Sequence, residues 1–135
     1  MSRVCLDAGI ISLYYQKDPP QKILDLITAI QEGQILAFTP GVILVEVFKH
    51  LCIAGGKDYA TSCLRSFLHN IRPKLTELTP ELILIAGLFK CQYRNKISYN
   101  DSIIIATALK EKAILHTTEK NLPLIRHLQS VSYTF

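Results

Sequence analysis

Short apolar strands alternate with amphipathic helices along the whole chain, and this alternation restricts the possible folds more than any other feature of the sequence. Strands are predicted at residues 3–7, 34–38, 74–78, 113–118 and near 131–135. Helices with recognisable capping residues are predicted between most of these strands. Because parallel strands are joined by helical crossovers, we expect a three-layer α/β/α fold around a central, mostly parallel sheet of four to five strands.

Polar residues beside prolines predict where several helices begin. Asp18 precedes two prolines, and Thr39 and Thr79 each precede one, which is the pattern of an N-cap followed by a first-turn proline. Ser98 and Asp101 have the spacing of a capping box, in which a hydroxyl and a carboxylate satisfy free backbone N–H groups at a helix start. The sequence therefore predicts four helix starts from local chemistry alone.

The composition is that of one ordinary domain. The chain has 135 residues, enough to bury a core but few for two domains, so we expect a single domain over residues 1–135. Hydrophobic residues make up 49% of the sequence, yet charged residues interrupt each apolar run before the ~18 residues that a membrane span requires. Asp7 interrupts the apolar stretch that a signal peptide would need, and the four cysteines show no C-x-x-C spacing. We therefore expect a cytoplasmic protein that does not associate with membranes.

Four acidic residues lie where the predicted fold would bring them together. Asp7 and Glu119 lie at the carboxyl ends of predicted strands, and sites in open α/β sheets form in the crevice outside such ends. Thr39 is expected to begin a helix at a third strand end, with Glu46 about two turns along it. Asp101 stands in the first turn of another helix. We therefore expect all four carboxylates to face one crevice.

Each of these acids also has a purely structural interpretation, and the residues alone leave both open. Asp101 fits a capping box, Glu119 fits a polar loop, and Glu46 would pair with a basic residue one helical turn further on. Asp7 is the hardest to explain in this way, because it has no helix to cap if Ala8-Gly9 opens a turn.

Three segments carry a resemblance to a known family. They are "VCLDAGIISLYY" at the first strand, "FTPGVILVEVFKHL" around the second acid and "ISYNDSIIIATALKEKAILHTTEKNLPLI" near the end. Over essentially its whole length the chain resembles the PIN-domain nucleases, and especially the small single-domain toxins of the VapC type. In order and spacing, the four acids of the predicted crevice fall on the acidic positions of that family: Asp7, Glu46, Asp101 and Glu119.

The resemblance implies a single PIN-like nuclease domain that acts as a divalent-metal-dependent endoribonuclease, with all four acids catalytic. Mg²⁺ or Mn²⁺ held by Asp7, Asp101 and Glu119 would activate a water for in-line attack on an RNA phosphodiester. Glu46 would bind the metal directly or orient its water. The family further implies the toxin of a toxin–antitoxin pair.

The sequence departs from the family at two of these positions. After the first acid the family usually has Thr or Ser and then Asn, whereas this chain has Ala8 and Gly9, so those polar contacts are missing. Asp or Asn is commoner than Glu at the fourth position, so we expect Glu119 to contact the metal indirectly. Thr117 and Thr118 are expected to supply hydroxyl groups nearby.

Basic residues and the apolar excess predict partners. The expected RNA-binding side chains are Lys49, Lys90, Arg94 and Lys96, although the last three also read as a solvated helix end that complements the helix dipole. A domain with this many hydrophobic residues is expected to leave apolar patches for interfaces. The resemblance implies a two-fold homodimer and a cognate antitoxin whose amphipathic helix lies in a groove between the early helices.

Three other functions remain open from the sequence. A PIN nuclease of RNA processing or decay would carry the same acids. A catalytically weakened PIN-like binding module is favoured by Ala8-Gly9. A receiver-like phosphoacceptor also places acids at strand ends, but its usual acidic pair does not follow the first strand.

Overall fold

Five parallel strands form one sheet in the computed structural model, which describes residues 1–134. The strands are β1 (Ser2–Leu6), β2 (Ile35–Pro40), β3 (Lys74–Thr76), β4 (Ile114–Thr117) and β5 (Ser130–Ser132). Their order across the sheet is β3-β2-β1-β4-β5, and all four neighbouring pairs are parallel. The predicted sheet is therefore confirmed, with β1 at its centre.

Six helices connect and cover these strands. They are α1 (Ala8–Tyr14), α2 (Gln21–Gln31), α3 (Leu44–Gly55), α4 (Lys57–Ser66), α5 (Pro80–Tyr93) and α6 (Tyr99–Lys110). The chain runs outward from β1 through β2 to β3 and then returns past β1 to β4. Because parallel crossovers are right-handed, the outward and return connections lie on opposite faces of the sheet, which confirms the three-layer α/β/α fold. None of the helices in residues 1–134 combines the length and apolar character needed to span a membrane.

The last three residues of the central strand are all apolar because both faces of the sheet are covered there. Val4, Cys5 and Leu6 of β1 are all buried, and Leu115 of β4 is buried beside them. Such uninterrupted apolar strands are typical of parallel sheets that carry helices on both sides. The polar residue that follows β1 therefore emerges directly from the core, at the carboxyl edge of the sheet.

Two of the predicted helix starts agree with the structure. Ser98 caps α6 in a capping box: its hydroxyl accepts a hydrogen bond from the Asp101 N–H at 3.0 Å, and Asp101 Oδ2 accepts one from the Ser98 N–H at 2.9 Å. Thr79 caps α5 by accepting a hydrogen bond from the Leu82 N–H at 3.2 Å. Local side-chain chemistry therefore sets the start of both helices that return across the sheet.

The helix start predicted at Thr39 is wrong. β2 continues through Pro40, because its last residues pair in register with β3. One 3₁₀ turn follows over Gly41–Ile43, and α3 begins only after that turn. Glu46 therefore lies in the first turn of α3 rather than two turns along a helix.

Boundaries also move elsewhere, and β3 ends at Thr76 rather than at residue 78 as predicted. Asp18 does not cap α2, which begins at Gln21 with Pro20 in the cap position and no side-chain cap. The last strand is β5, shorter than predicted, and Phe135 at the end of the predicted strand and of the predicted domain lies outside the described residues.

Candidate active site

The four predicted acids line one cleft at the carboxyl edge of the sheet. Asp7 follows β1 and Glu119 follows β4, and these strands are parallel neighbours, so both residues emerge at the same edge. Glu46 and Asp101 enter from the first turns of α3 and α6. The cleft has a volume of about 320 Å³ and is lined by Asp7, Gly9, Glu46, Lys49, His50, Ser98, Asn100, Asp101, Thr118 and Glu119.

Asp7 is buried and serves as the N-cap of α1. Its Oδ1 accepts a hydrogen bond from the Ala8 N–H at 2.7 Å, so Ala8-Gly9 opens a helix rather than the predicted turn. Its Oδ2 accepts a hydrogen bond from Thr117 Oγ1 at 2.8 Å. The structural role that the sequence did not predict for Asp7 therefore exists, and it fixes the carboxylate at the floor of the cleft.

Thr117 links two of the acids. Its side chain is fully buried at the end of β4, where its hydroxyl donates to Asp7 and accepts a hydrogen bond from the Glu119 N–H at 3.0 Å. This places Thr117 behind the cleft as a support for the acids. Thr118, the next residue, lines the cleft itself.

Glu46 has a partner that the sequence did not suggest. Asn100 Nδ2 donates a hydrogen bond to Glu46 Oε1 at 3.0 Å, which joins α3 to the start of α6. In the sequence, Asn100 is marked only by its position next to Asp101, and that position does not predict a contact with α3. The amide holds one oxygen of Glu46, just as the capping box holds one oxygen of Asp101.

His50 is a second residue with a role at the site that the sequence did not predict. Its Nδ1 lies 2.9 Å from Ser12 Oγ on α1, so the half-buried imidazole is oriented by a hydroxyl from a different helix. His50 lines the acidic cleft and also the neighbouring groove between α1, α3 and α4. His50 therefore lies between the acidic cleft and this groove.

The electrostatics of the cleft are strongly negative. The pKa of Asp7 is raised to about 6, mainly by burial and in smaller part by the charges of Asp101 and Glu46, while its hydrogen bonds with Thr117 and Ala8 act in the opposite direction. The pKa of Glu119 is raised by partial burial and by the same two carboxylates. Burial and the repulsion between these acids both disfavour ionisation, and a bound cation would favour it.

The predicted basic residues separate into two groups. Lys49 lines the cleft. Lys90, Arg94 and Lys96 lie at the junction of α5 and α6 and are not among the residues that line the cleft. Lys90 Nζ donates hydrogen bonds to the carbonyls of Arg94 at 2.6 Å and Ile97 at 2.7 Å, and it lies 4.7 Å from the centre of the Tyr99 ring. Lys90 therefore satisfies two backbone carbonyls just beyond the end of α5. Arg94 and Lys96 are exposed.

The acids of the cleft suit a hard cation in chemistry, but they are not gathered into a ready-made ligand set. Within residues 1–134, no three His, Cys, Asp or Glu side chains lie close enough together to form a metal centre as they stand. Carboxylate oxygens are the ligands that Mg²⁺ and Mn²⁺ prefer. Each carboxylate can accept about four hydrogen bonds or metal contacts, so the observed hydrogen bonds leave capacity for an ion.

The fold is therefore a parallel α/β sheet with four carboxylates in a cleft at its carboxyl edge. The chain belongs to the PIN domain family, whose model matches residues 4–128. A comparison with curated proteins gave no significant match.

Solved structures with the same fold include toxin–antitoxin proteins. VapBC2 from Rickettsia felis, bound to a DNA fragment from its promoter, superimposes with a TM-score of 0.76 at 19% identity, covering 97% of this chain and 98% of that one. The sarcin-ricin loop cleaving toxin VapC20 from Mycobacterium tuberculosis gives 0.65 at 14% identity, covering 82% and 84%. A toxin–antitoxin complex from Klebsiella pneumoniae gives 0.65 at 16% identity, covering 98% and 99%. These likenesses confirm the predicted PIN-like fold.

Proposed function

We propose that this protein is a divalent-metal-dependent endoribonuclease and the toxin of a toxin–antitoxin pair acting in the cytoplasm. The observation that carries the proposal is the convergence of four carboxylates on one cleft, where the charges of Asp101 and Glu46 add to the effect of burial in raising the pKa of Asp7. Membership in the PIN domain family and the likeness to toxins such as VapC20 support the same activity.

Mg²⁺ or Mn²⁺ is the cation that we expect to compensate this charge. Asp7, Asp101 and Glu119 would hold the ion, and Glu46 would either join them or orient a water. When bound, the ion would activate a water for in-line attack on an RNA phosphodiester. Within residues 1–134 the acids are not gathered into a ready ligand set, so we expect their side chains to adjust when the ion binds.

The chain itself contributes orientation and charge. Hydrogen bonds orient three of the acids: Thr117 binds Asp7, Asn100 binds Glu46, and the Ser98 N–H binds Asp101. This lowers the conformational entropy that these side chains would lose when a ligand binds. Lys49 at the cleft would attract the RNA phosphate. The exposed Arg94 and Lys96 would contact the RNA backbone further from the cleft.

A cognate antitoxin is the partner that best fits the groove between α1, α3 and α4. This groove has a volume of about 720 Å³ and includes Tyr15, Leu51 and Tyr59, so it offers aromatic and aliphatic surface to an amphipathic helix. His50 lines both the groove and the acidic cleft. An antitoxin helix in the groove would therefore reach the cleft, where a terminal arginine would match a carboxylate and take the place of the metal.

A second copy of the chain is the partner that we assign to the outer face of α5. Ile83, Leu84 and Leu88 are 51%, 76% and 57% exposed there, beside an apolar groove that also includes Leu78 and Tyr99. Exposed apolar patches of this kind mark interfaces, and most homo-oligomers are two-fold dimers. We therefore expect α5 to pack against its counterpart in a homodimer.

The test of the proposed function is cleavage of total cellular RNA by the purified protein. We expect cleavage with Mg²⁺ or Mn²⁺, none with EDTA, and none by Asp101→Asn. Asp25→Asn on α2 removes an exposed acid outside the cleft and should cleave like wild type. A wild-type rate for Asp101→Asn would refute the catalytic assignment.

The toxin assignment needs a separate measurement. The product of the neighbouring gene should co-purify with the protein and suppress cleavage. Cleavage without either effect would favour a nuclease of RNA processing, and metal-independent RNA binding without cleavage would favour a binding module.

A further inference from the structure

Thr118 occupies the space that a side chain at position 9 would fill. A Cβ atom added to Gly9 would overlap Thr118 Oγ1 and lie 2.8 Å from Cγ2 and 2.9 Å from Cβ of the same threonine. Real Cβ atoms do not approach other atoms so closely. Gly9 therefore makes room for Thr118, which packs from the end of β4 against the first turn of α1.

The Thr118 hydroxyl differs chemically from the groups around it. Both Gly9 and Thr118 line the acidic cleft, where the ionised carboxylates can only accept hydrogen bonds. Two other polar side chains of the cleft already have partners: the Asn100 amide donates to Glu46, and the Ser98 hydroxyl accepts the backbone N–H of Asp101. Thr118 adds a neutral hydroxyl that can donate to an anion without adding charge.

The neighbouring threonine has a different role. Thr117 is fully buried, and its hydroxyl is used by Asp7 and by the backbone of Glu119. Thr118 is only half-buried and lines the cleft. The two threonines at the end of β4 thus differ: Thr117 supports the acids, and Thr118 lines the cleft with its hydroxyl beside Gly9.

We propose that the Thr118 hydroxyl donates a hydrogen bond to a nonbridging oxygen of the RNA phosphate in the cleft. The inference rests on the proposed nuclease function, because it takes RNA as the ligand. A phosphate that enters a cleft of carboxylates is repelled except where a cation or a neutral donor faces it. Hydrogen bonds to charged oxygens are stronger than those between neutral groups. The close packing on Gly9 restricts the hydroxyl before the phosphate arrives, which favours binding.

The first test measures RNA affinity separately from cleavage. Variants are made in an Asp101→Asn background, and binding of a fluorescent, mixed-sequence single-stranded RNA is followed by anisotropy in the presence of Mn²⁺. We expect Thr118→Val to weaken binding by about tenfold or more, which corresponds to the loss of one hydrogen bond to a charged group. Thr118→Ser, which keeps the hydroxyl, should weaken it much less, and Thr28→Val on the exposed face of α2 should not change it.

The second test moves the hydroxyl to the other side of the same space. Gly9→Ser alone should lower the melting temperature, because the new side chain overlaps Thr118. Thr118→Gly alone should weaken RNA binding. The double variant Gly9→Ser/Thr118→Gly should regain part of that affinity, since it restores a hydroxyl where Thr118 Oγ1 stood.

The outcomes separate this inference from the proposed function. Equal RNA affinities for the Val, Ser and unsubstituted proteins would overturn the Thr118 contact, even if Asp101→Asn abolishes cleavage. A double variant that binds no better than Thr118→Gly would count against it as well. Conversely, cleavage by Asp101→Asn would refute the catalytic assignment while a difference between Val and Ser at position 118 would still support the phosphate contact.

Discussion

Thr117 Oγ1 donates a 2.8 Å hydrogen bond to Asp7 Oδ2, joining two residues that are 110 positions apart in the chain. The contact forms where the parallel strands β1 and β4 end side by side. The same hydroxyl accepts the Glu119 N–H. One buried threonine therefore contacts the carboxylate of Asp7 and the backbone of Glu119.

Thr117→Val should destabilise the protein and disturb the site together. Valine keeps the shape but removes the hydroxyl, so the buried Asp7 carboxylate loses a partner at a cost of about 1–3 kcal/mol in the free energy of unfolding. The pKa of Asp7 should also rise, because this hydrogen bond lowers it. Chemical denaturation measures the loss, and Thr117→Ser is the control that retains the hydroxyl. A valine variant as stable as wild type would show that the hydrogen bond contributes nothing.

Two buried groups should give the metal-free protein opposing responses to pH. The pKa of Asp7 is raised to about 6, so between about pH 4 and 6 the folded state binds more protons than the unfolded state and stability falls as pH rises. Burial lowers the pKa of His116 to about 4, so over about pH 4 to 6.5 the unfolded state binds more protons and stability rises with pH. The two effects are similar in size, so wild type should change little in this window.

Single variants should reveal each effect. Asp7→Asn cannot ionise, so its stability should increase with pH through this window by about 2–3 kcal/mol and exceed that of wild type near neutral pH. His116→Gln should show the opposite trend. Denaturant unfolding in EDTA across this range measures both. Parallel curves for Asp7→Asn and wild type would contradict the raised pKa of Asp7.

Divalent metal should stabilise the folded protein without any RNA. A ligand that binds only the folded state adds about 2.7 kcal/mol at a hundredfold excess over its dissociation constant. Mn²⁺ or Mg²⁺ should therefore raise the melting temperature of wild type and of the exposed-site control Asp25→Asn, and raise that of Asp7→Asn much less. Equal shifts in melting temperature for all three proteins, or no shift at millimolar metal, would favour the binding-module alternative.

Two substitutions at Asp101 should separate capping from chemistry. Asparagine retains an oxygen that can accept the Ser98 N–H, so Asp101→Asn should unfold at the same denaturant concentration as wild type or a higher one, because repulsion in the cleft falls. Asp101→Ala lacks that oxygen and should be less stable by about 0.5–1.5 kcal/mol. Both should lose cleavage. Equal stability for the two would mean that the capping box contributes little.

The outer face of α5 should control the oligomeric state. Leu84 is 76% exposed on this face, and Ile53 is 79% exposed at the end of α3. Leu84→Asp should convert a dimer into a monomer in light scattering, because it places a charge in the proposed interface. Ile53→Asp is the matched control and should remain dimeric. A monomeric wild type at tens of micromolar, or an unchanged Leu84→Asp, would refute this interface.

The parts of the structure that depend on local patterns were predictable from the sequence. Alternating strands and helices specified the sheet, and the caps at Thr79 and Ser98 came from side chains within three residues of the groups they bind. The acids were found together because parallel strands bring their carboxyl ends to one edge. Each of these inferences needs only the chain direction and nearby residues.

Contacts that depend on packing between elements were missed. The hydrogen bonds of Asn100 with Glu46 and of Ser12 with His50 join helices through side chains 54 and 38 positions apart. Thr39 was misjudged for a similar reason, because pairing with β3 extends β2 past a residue that looks like a cap. A local sequence pattern predicts neither the register of a strand nor the rotation of one helix against another.

The position of β1 at the centre of the sheet also bears on protein synthesis. β1 is translated before the other strands, but its pairing is complete only when β4 has left the ribosome, more than a hundred residues later. Nascent chains that stop short of Thr117 lack the support of Asp7 and the fourth acid alike. A chain that stops before Thr117 would therefore lack the cleft on which the proposed cleavage depends, because the cleft is lined by residues that follow both β1 and β4.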